Sequence, residues 1–397
     1  MRKKILFVNE SLACAGGEKS LLNLLSAIDH DRYDVYLQLF RYGEPWDKLV
    51  DERVTVLPPI PYTDFTPYPL SRAFIYAITH RRLKWLIARL NYSFRLRLGK
   101  NLNNVKRSIL YWETQKNCFD RIEDEYDYII AYAQGIPTFY VADKAVNGKK
   151  FAWINVTYCP DEPAKSYIEE KYESFRVVNS VSEEIERLET EHWPALKSKS
   201  VTIRDIMNPR IIYKLADADS EKIKEEGVLT LVTLGRLTYQ KGYDITIEAA
   251  RILKERNIKF KWFILGKGPL EKEIRNSIEE NGLSEMVFLL GVKDNPYPYL
   301  RQADIYVQTS RHEGFGIAIA EARTLNIPVV ATRFNTVFMQ MKDKVNGLVT
   351  DMSGKSVADA IVKLHEDWGL YSSIKRNLES EKKDNSEVLD KFYSILD

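Results

Sequence analysis

The chain has 397 residues, 45% hydrophobic and 29% charged, which is enough length and apolar content for two ordinary domains. That balance excludes fibrous and disordered classes, and 58 basic against 56 acidic side chains leave a net charge of +2 that alone points to no polyanionic partner. Three scattered cysteines, Cys14, Cys118 and Cys159, suit neither a disulfide framework nor a zinc ligand set and fit a reducing compartment.

MRKKILFVNE opens with the basic residues of a signal peptide, but its apolar core runs only from Ile5 to Val8, too short for an exported leader. It reads as a first strand. No later run approaches the about eighteen uncharged apolar residues of a spanning helix. A turn at Gly16 and Gly17 leads into a helix with Leu21, Leu22, Leu24, Leu25 and Ile28 on its apolar face. SLACAGGEKSLLNLL looks at first like a nucleotide-binding P-loop, because Lys19 and Ser20 follow glycines. That motif requires Gly-Lys-Ser after four free positions from an earlier glycine, whereas here Glu18 intervenes and the upstream glycine is missing. ATP or GTP binding by this route is excluded. YDVYLQLF, RVTVLP, YDYIIAY, FAWINVTY and FRVVNSV follow as strands. Continuous apolar runs separated by helical patterns predict a mainly parallel sheet covered on both faces.

Near-zero net charge conceals a one-sign stretch. From Phe65 to Trp112 there is no Asp or Glu, yet Arg72, Arg81, Arg82, Lys84, Arg89, Arg95, Arg97, Lys100, Lys106 and Arg107 all occur. Phe74, Ile75, Tyr76, Trp85, Leu86, Ile87, Leu90, Tyr92 and Phe94 are interleaved with them. Trp85, Arg89 and their surroundings suit an interfacial helix on an anionic membrane surface. Ordinary packing, with the aromatics in a core and the charges in water, fits the same residues. So does stacking on a nucleic acid, but no nucleic-acid module is recognised and no nucleic-acid partner is expected.

The strand-and-helix pattern restarts after about residue 205, and the polar segment LADADSEKIKEEG, residues 215–227, reads as a connection between halves. VLTLVTLGRL, KWFILGKG, VFLLG, ADIYVQTS and PVVAT are strands with their exit turns, and ITIEAARILKER and PLEKEIRNSIEENG are helices. The fold class is therefore α/β, two Rossmann-like parallel-sheet domains facing each other across a cleft. Three exits in the second half carry chemistry. GRLTYQKGYD offers Arg236 as a planar fork and Lys241 as a point charge, both suited to phosphate, although a solvated basic loop looks the same. Gly266 and Gly268 bracket Lys267 in a close-approach turn. In SRHEGFGIAIAEA, Gly314 and Gly316 precede a helix start whose free amides favour an anion, and Glu321 sits in a buried-looking AIAEA run where a carboxylate needs donors such as ribose hydroxyls.

The ordered set GRL-x-x-x-KG, a strand ending in LGKGP, and E-G-F-G-x-x-x-x-E resembles the retaining nucleotide-sugar glycosyltransferases of GT-B architecture, the GT4-like "glycosyl transferases group 1". The likeness is strongest over about 228–350. It implies that Glu321 holds the nucleotide ribose and Glu313 the donor-sugar hydroxyls, while Arg236 and Lys241 neutralise the diphosphate; Glu313, Arg236 and Lys241 are the implied catalytic set. Gly266, Gly268, Gly314, Phe315 and Gly316 complete the implied donor pocket, with Gly16 and Gly17 near the diphosphate or the acceptor, and His312 is expected nearby. Asn346-Gly347 matches a turn before a final short strand. The resemblance divides the chain into an acceptor-side domain, 1–205, a donor domain, 206–380, and a C-terminal helix, 381–397, packing back on the first.

FAWINVTYCPDE matches a segment where many relatives carry tryptophan, an aliphatic residue and histidine near the reaction centre; here the last is Asn155. Asparagine can orient a hydroxyl but takes no proton at neutral pH. Gln134 and Asp161 join Asn155 as candidate acceptor contacts. No His-rich cluster or Asp-x-Asp pair occurs in this segment, and no metal or other cofactor is expected beyond the nucleotide-sugar co-substrate, with UDP-sugar the leading donor. The implied enzyme is a hexosyltransferase-type retaining glycosyltransferase acting on a cell-surface or lipid-linked glycan, cytoplasmic and peripheral on the inner face of the cell membrane. Two alternatives share the fold: a sugar-nucleotide epimerase, and a non-catalytic glycan-binding or partner subunit made credible by Asn155.

Overall fold

The structure, a computed structural model, describes residues 2–13, 16–99, 102–385 and 387–396. Cys14 and Lys100 lie outside the described residues. The chain forms two compact units, one running to Arg204 and rejoined from Glu387, the other Asp205–Ser386.

The first unit is built on seven strands: β1 (Lys3–Asn9), β2 (Tyr33–Leu39), β3 (Thr55–Val56), β4 (Tyr128–Ala131), β5 (Lys149–Ile154), β6 (Val177–Ser180) and β7 (Ser200–Thr202). They lie in the order β3-β2-β1-β4-β5-β6-β7, all pairs parallel. Of the helices, α1 (Gly16–Ala27) follows β1, and α2 (Leu70–Thr79), α3 (Leu83–Leu98) and α4 (Asn104–Gln115) fill the long crossover from β3 to β4. α5 (Glu183–His192) follows β6. The second unit has six parallel strands: β8 (Leu229–Leu234), β9 (Phe260–Leu265), β10 (Val287–Gly291), β11 (Ile305–Gln308), β12 (Val329–Thr332) and β13 (Gly347–Thr350). Their order is β10-β9-β8-β11-β12-β13. α6 (Tyr243–Glu255) follows β8, and α7 (Ile317–Thr324) follows β11. α8 (Glu387–Leu396) returns to the first unit, where Phe392 packs 6.5 Å from Phe7 and the Asp29 amide donates to the Tyr393 hydroxyl at 2.8 Å.

Burial on both faces explains why the strands read as unbroken apolar runs. Successive residues of a strand point to opposite faces. Leu231, Trp262, Ile305 and Val307 therefore enter one core of the second unit, while Val232, Phe263, Tyr306 and Ala331 enter the other. In both sheets the strand order reverses once, between β1 and β4 and between β8 and β11. Loops at the carboxyl ends on either side of such a reversal diverge and leave a crevice suited to a ligand.

Three details differ from expectation. Strand β5 stops at Ile154 instead of continuing through Tyr158, so Asn155 begins a loop. β7 was not foreseen. Residues 215–227 are no linker: they lie inside the second unit, where Ile223 is buried and the side-chain carbonyl of Gln302 accepts its amide at 2.8 Å.

One buried acid stands out in the first unit. Glu189 on α5 is 0% exposed; its Oε1 accepts the Tyr158 amide at 3.2 Å, and Oε2 is buried without a hydrogen-bond partner among the described residues. Burial pushes the carboxyl up to about 8, against the smaller opposing effect of the Tyr158 amide. The folded chain thus holds a proton that the unfolded chain releases near its ordinary value of 4.5, so stability falls as pH rises from about 4.5 through about 8. In Glu189→Gln, urea midpoints measured across that window should decline less than in the parent, with the largest gain at the alkaline end.

Candidate nucleotide-sugar site

The sequence-selected residues of the second unit gather on loops leaving the carboxyl ends of β8, β9 and β11, around the reversal in strand order. Lys241 Nζ donates to Glu313 Oε1 at 2.6 Å, and the two side chains are 19% and 10% exposed. The same oxygen accepts Ser310 Oγ and Gln308 Nε2, each at 2.5 Å, while Oε2 accepts nothing from the described residues. Thr336 Oγ1 holds the Glu313 carbonyl at 2.9 Å. Glu313 is thus fixed through one oxygen and presents the other.

Around this pair the loops after β8 and β11 are joined closely. Arg311 grips Asp244 through both guanidinium nitrogens, at 2.9 and 2.6 Å, holding the Asp244 carboxyl below its ordinary range, and its amide donates to the Gln240 carbonyl at 2.7 Å. Gly242 has φ +66°, and a Cβ there would lie 2.2 Å from the Thr309 carbonyl oxygen. Only glycine permits that approach.

Arg236 and Lys267 are exposed, and neither has a side-chain hydrogen bond or ion pair among the described residues. These cations on adjacent loops are therefore uncompensated, unlike Lys241. Gly266 and Gly268 serve the loops themselves: a Cβ on Gly266 would fall 1.9 Å from the Gly235 carbonyl oxygen, and one on Gly268 2.4 Å from that of Leu237. Backbone packing accounts for both glycines. Gly314 is half-buried at the loop tip, and His312 is exposed, its carbonyl accepting from Gln240. Phe315 is 9% exposed, and its side chain belongs to the core with Ile319 and Phe334.

Gly316, at φ +83°, starts α7 without a capping side chain. Its carbonyl accepts the amides of Ile319 and Ala320 at 2.9 and 3.3 Å. Ile317 and Ala318 precede any intrahelical acceptor, which leaves helix-start amides and the positive end of the dipole free for an anion. Glu321, on the buried side of that helix, is 1% exposed. Its Oε1 accepts the Tyr297 hydroxyl at 2.7 Å. Burial, reinforced by the Glu321 charge, pushes the Tyr297 phenol well above its ordinary value, so it remains a donor. Sequence reasoning missed Tyr297, which lies on a separate segment 24 residues earlier. It also missed Gln308 and Ser310, although their alternation at the end of β11 sets both on one side.

In the first unit, Gly17, Gln134 and Asn155 come together at the carboxyl ends of β1, β4 and β5. Asn155 Nδ2 donates to the Tyr132 carbonyl at 2.7 Å and would lie 3.4 Å from a Cβ on Gly17. Gln134 clamps the loop, accepting the Asn155 amide at 3.2 Å and donating to the Val156 carbonyl at 2.6 Å. Asn155 Oδ1 is buried without a partner among the described residues. Gly16 and Gly17 are the first residues of α1. The Asp161 side chain makes no hydrogen bond or ion pair among the described residues; it is exposed, and its carbonyl accepts the Lys165 amide at 3.1 Å. Two Asp-x-Asp pairs exist elsewhere, at Asp29 and Asp31 and at Asp217 and Asp219, but Asp29 Oδ1 accepts the Asp31 amide at 3.0 Å and Asp217 is ion-paired with Arg301 on the surface.

Two Rossmann-like parallel-sheet units, with the nucleotide-type reversal in each, define a GT-B fold. Residues 216–381, within the second unit, match the family "Glycosyl transferases group 1". Among solved structures, Anabaena Alr3699/HepE in complex with UDP and glucose aligns over 100% of this chain and 99% of its own, with TM-score 0.67 and 18% identity. A point mutant of Staphylococcus aureus TarM in complex with Fondaparinux, alpha-GlcNAc-glycerol and UDP aligns over 100% of both chains with TM-score 0.67 and 17% identity. At those identities the likeness is one of fold. By sequence, the chain is 26% identical to the glycosyltransferase MJ1059 of Methanocaldococcus jannaschii over 57% of its length, and 28% identical to the amylovoran biosynthesis glycosyltransferase AmsK of Erwinia amylovora over 42%. The matched regions span 64% and 42% of those relatives.

Removing the Tyr297 hydroxyl takes a donor from a buried carboxylate. Tyr297→Phe should lower unfolding stability by about 1–3 kcal/mol, read from urea denaturation, with far-UV circular dichroism unchanged.

Proposed function

We propose that the chain is a retaining glycosyltransferase that moves a hexosyl group from a UDP-sugar to a hydroxyl of a cell-surface or lipid-linked glycan, working in the cytoplasm at the inner face of the membrane. The observation that carries this reading is the cation-bearing loop cluster of the second unit: Arg236 and Lys267 uncompensated on the loops after β8 and β9, with the Lys241–Glu313 pair joining the loop after β8 to the one that leads from β11 to the open start of α7. Support for UDP comes from HepE and TarM, both solved with UDP, and support for a polysaccharide setting from the name of AmsK.

In this reading the donor diphosphate lies over the start of α7, with Arg236 and Lys241 against its oxygens. Lys241 then divides its charge between phosphate and Glu313, and the free Oε2 of Glu313 accepts a sugar hydroxyl. Glu321 accepts from the ribose, sharing the carboxylate with Tyr297. Gly16, Gly17, Gln134 and Asn155 of the first unit, with Asp161 at the loop's far end, serve the acceptor side. The anomeric carbon–phosphate oxygen bond breaks as the bond to the acceptor oxygen forms on the same face. The acceptor's proton passes to the departing phosphate oxygen, so no side-chain base is needed and asparagine at 155 is compatible with transfer. The protein's share is orientation and charge stabilisation.

Lys241→Ala should cut turnover by roughly 100-fold, and Glu321→Ala should weaken UDP binding while the fold is kept. The measurement is isothermal titration with UDP, GDP and ADP, followed by product analysis with a donor panel in which NMR reads the anomeric configuration. Wild-type turnover in Lys241→Ala would remove the phosphate assignment. An isomerised nucleotide sugar in place of UDP plus glycoside would make the chain an epimerase, and no nucleotide binding at all would leave a non-catalytic subunit.

A further inference from the structure

About half of the exposed large hydrophobic side chains among the described residues fall on two consecutive helices of the first unit. On α2 these are Leu70, Phe74, Ile75 and Ile78, each more than half exposed. On α3 they are Leu83, Ile87, Leu90, Phe94 and Leu98, from 46% to 67% exposed. At 3.6 residues per turn those five α3 positions fall within an arc of roughly 80°. The opposite side of α3 is the one that packs inward. Trp85 is 2% exposed, with its ring 5.4 Å from Tyr62, 5.6 Å from Phe65 and 6.3 Å from Tyr76, and Tyr92 meets Tyr111 of α4 at 5.3 Å. This corrects the expectation that Trp85 and Arg89 are the interfacial residues. Trp85 anchors the helix from behind, and Arg89 is half-buried.

The outward strip is bordered by cations. Arg81, Lys84, Arg95 and Arg97 are exposed and have no ion-pair partner among the described residues. No helix of the described chain is long and apolar enough to cross a membrane. Apolar strips on two consecutive helices, with a single-sign rim, make a surface awaiting a partner, and three occupants can be weighed. A second copy would bring the same positive rim against its own kind. Single-stranded nucleic acid wants aromatic stacking faces, whereas the strip is mostly Leu and Ile, with Phe74 and Phe94 its only exposed rings. An anionic bilayer satisfies both parts at once, taking the aliphatic side chains among acyl chains and the guanidinium and ammonium groups among headgroups.

We infer that α2 and α3 form a rigid two-helix face that seats the first unit on an anionic lipid bilayer through Phe74, Ile75, Ile78, Ile87, Leu90 and Phe94, without spanning it. The face also has a physical link to the acceptor-side residues. α3 is held to α4 by Gln115 Nε2 donating to the Ala88 carbonyl at 3.0 Å, and Ser108 of α4 would lie 3.6 Å from a Cβ on Gly135, the residue after Gln134. This adds a membrane contact to the transferase reading but rests on surface chemistry alone.

The test is co-sedimentation of the full chain with phosphatidylcholine vesicles, with and without phosphatidylglycerol, at low and high salt. Partition should require phosphatidylglycerol and weaken with salt. Ile87→Ser/Phe94→Ser should lose about tenfold or more of the partition coefficient, and Arg95→Gln/Arg97→Gln about fivefold per charge. Circular dichroism of each variant should match the parent, since every substituted side chain is exposed. Binding unchanged in the Ile87/Phe94 variant, or no binding to phosphatidylglycerol vesicles at low salt, would overturn the inference. So would sedimentation equilibrium showing a dimer that the Ile87/Phe94 variant abolishes, or single-stranded RNA displacing the chain from vesicles. None of these readouts involves nucleotide, so they stand apart from the fate of the donor assignment.

Discussion

The second unit depends on keeping one lysine and one glutamate paired between two loops that leave neighbouring strands in the same direction. Lys241 and Glu313 are 72 residues apart in sequence and 2.6 Å apart in space. At 19% and 10% exposure the pair is largely withdrawn from water, so its Coulombic gain is offset by desolvation, and its effect on net stability is small. Its consequence is positional. Either charge left alone would be a partly buried ion, which forbids the loops from drifting apart. The surrounding contacts reinforce this at several levels: Thr309 Oγ1 donates to the Lys241 carbonyl at 2.9 Å, and Arg311 reaches across to Asp244 and to the Tyr239 carbonyl. Glycine at 242 and 266 lets the backbones meet where any side chain would push them apart.

That arrangement separates two kinds of cation. Lys241 is spoken for before any ligand arrives, while Arg236 and Lys267 are not. A diphosphate entering under the proposed function would meet two free charges and one already bound, whose displacement toward phosphate would change what Glu313 can accept. Such a coupling makes hydroxyl recognition by Glu313 depend on an anion being present. A neutral sugar would leave the ion pair undisturbed.

Much of this was legible in the sequence, for a physical reason. Strands buried on both faces must be continuously apolar, so KILFVN, VLTLVTL, KWFIL and ADIYV announced themselves, and loops at their carboxyl ends could be named in advance. β7 escaped because Ser200–Thr202 is short and two of its three residues are hydroxylic. Glu321 was rightly read as buried, but its internal partner, Tyr297, comes from tertiary packing that no local spacing encodes. The glycines at 266 and 268 were legible as close-approach positions, yet sequence could not say that the approaching group is backbone. On α3 the difficulty was symmetry. Both of its faces are apolar, one with Trp85 and Leu86, the other with Ile87 and Phe94, and periodicity cannot tell which of two apolar stripes meets the core.

The resolution of that symmetry bears on how the inferred membrane face works. An amphipathic segment that folds only on reaching a bilayer spends part of its interaction energy on becoming ordered. Here the ordering is done beforehand. Trp85, Tyr62, Phe65 and Tyr76 fix α2 and α3 through buried rings, Arg82 lies 4.8 Å over Trp85, and Asn103 caps α4 through the Lys106 amide. The outward residues therefore meet lipid as a preformed surface, and a modest number of Leu, Ile and Phe side chains suffices. A rigid face also fixes orientation. Because α4 ties it to the loops after β4, contact with a bilayer would set the Gln134–Asn155 group at a defined height above the headgroups.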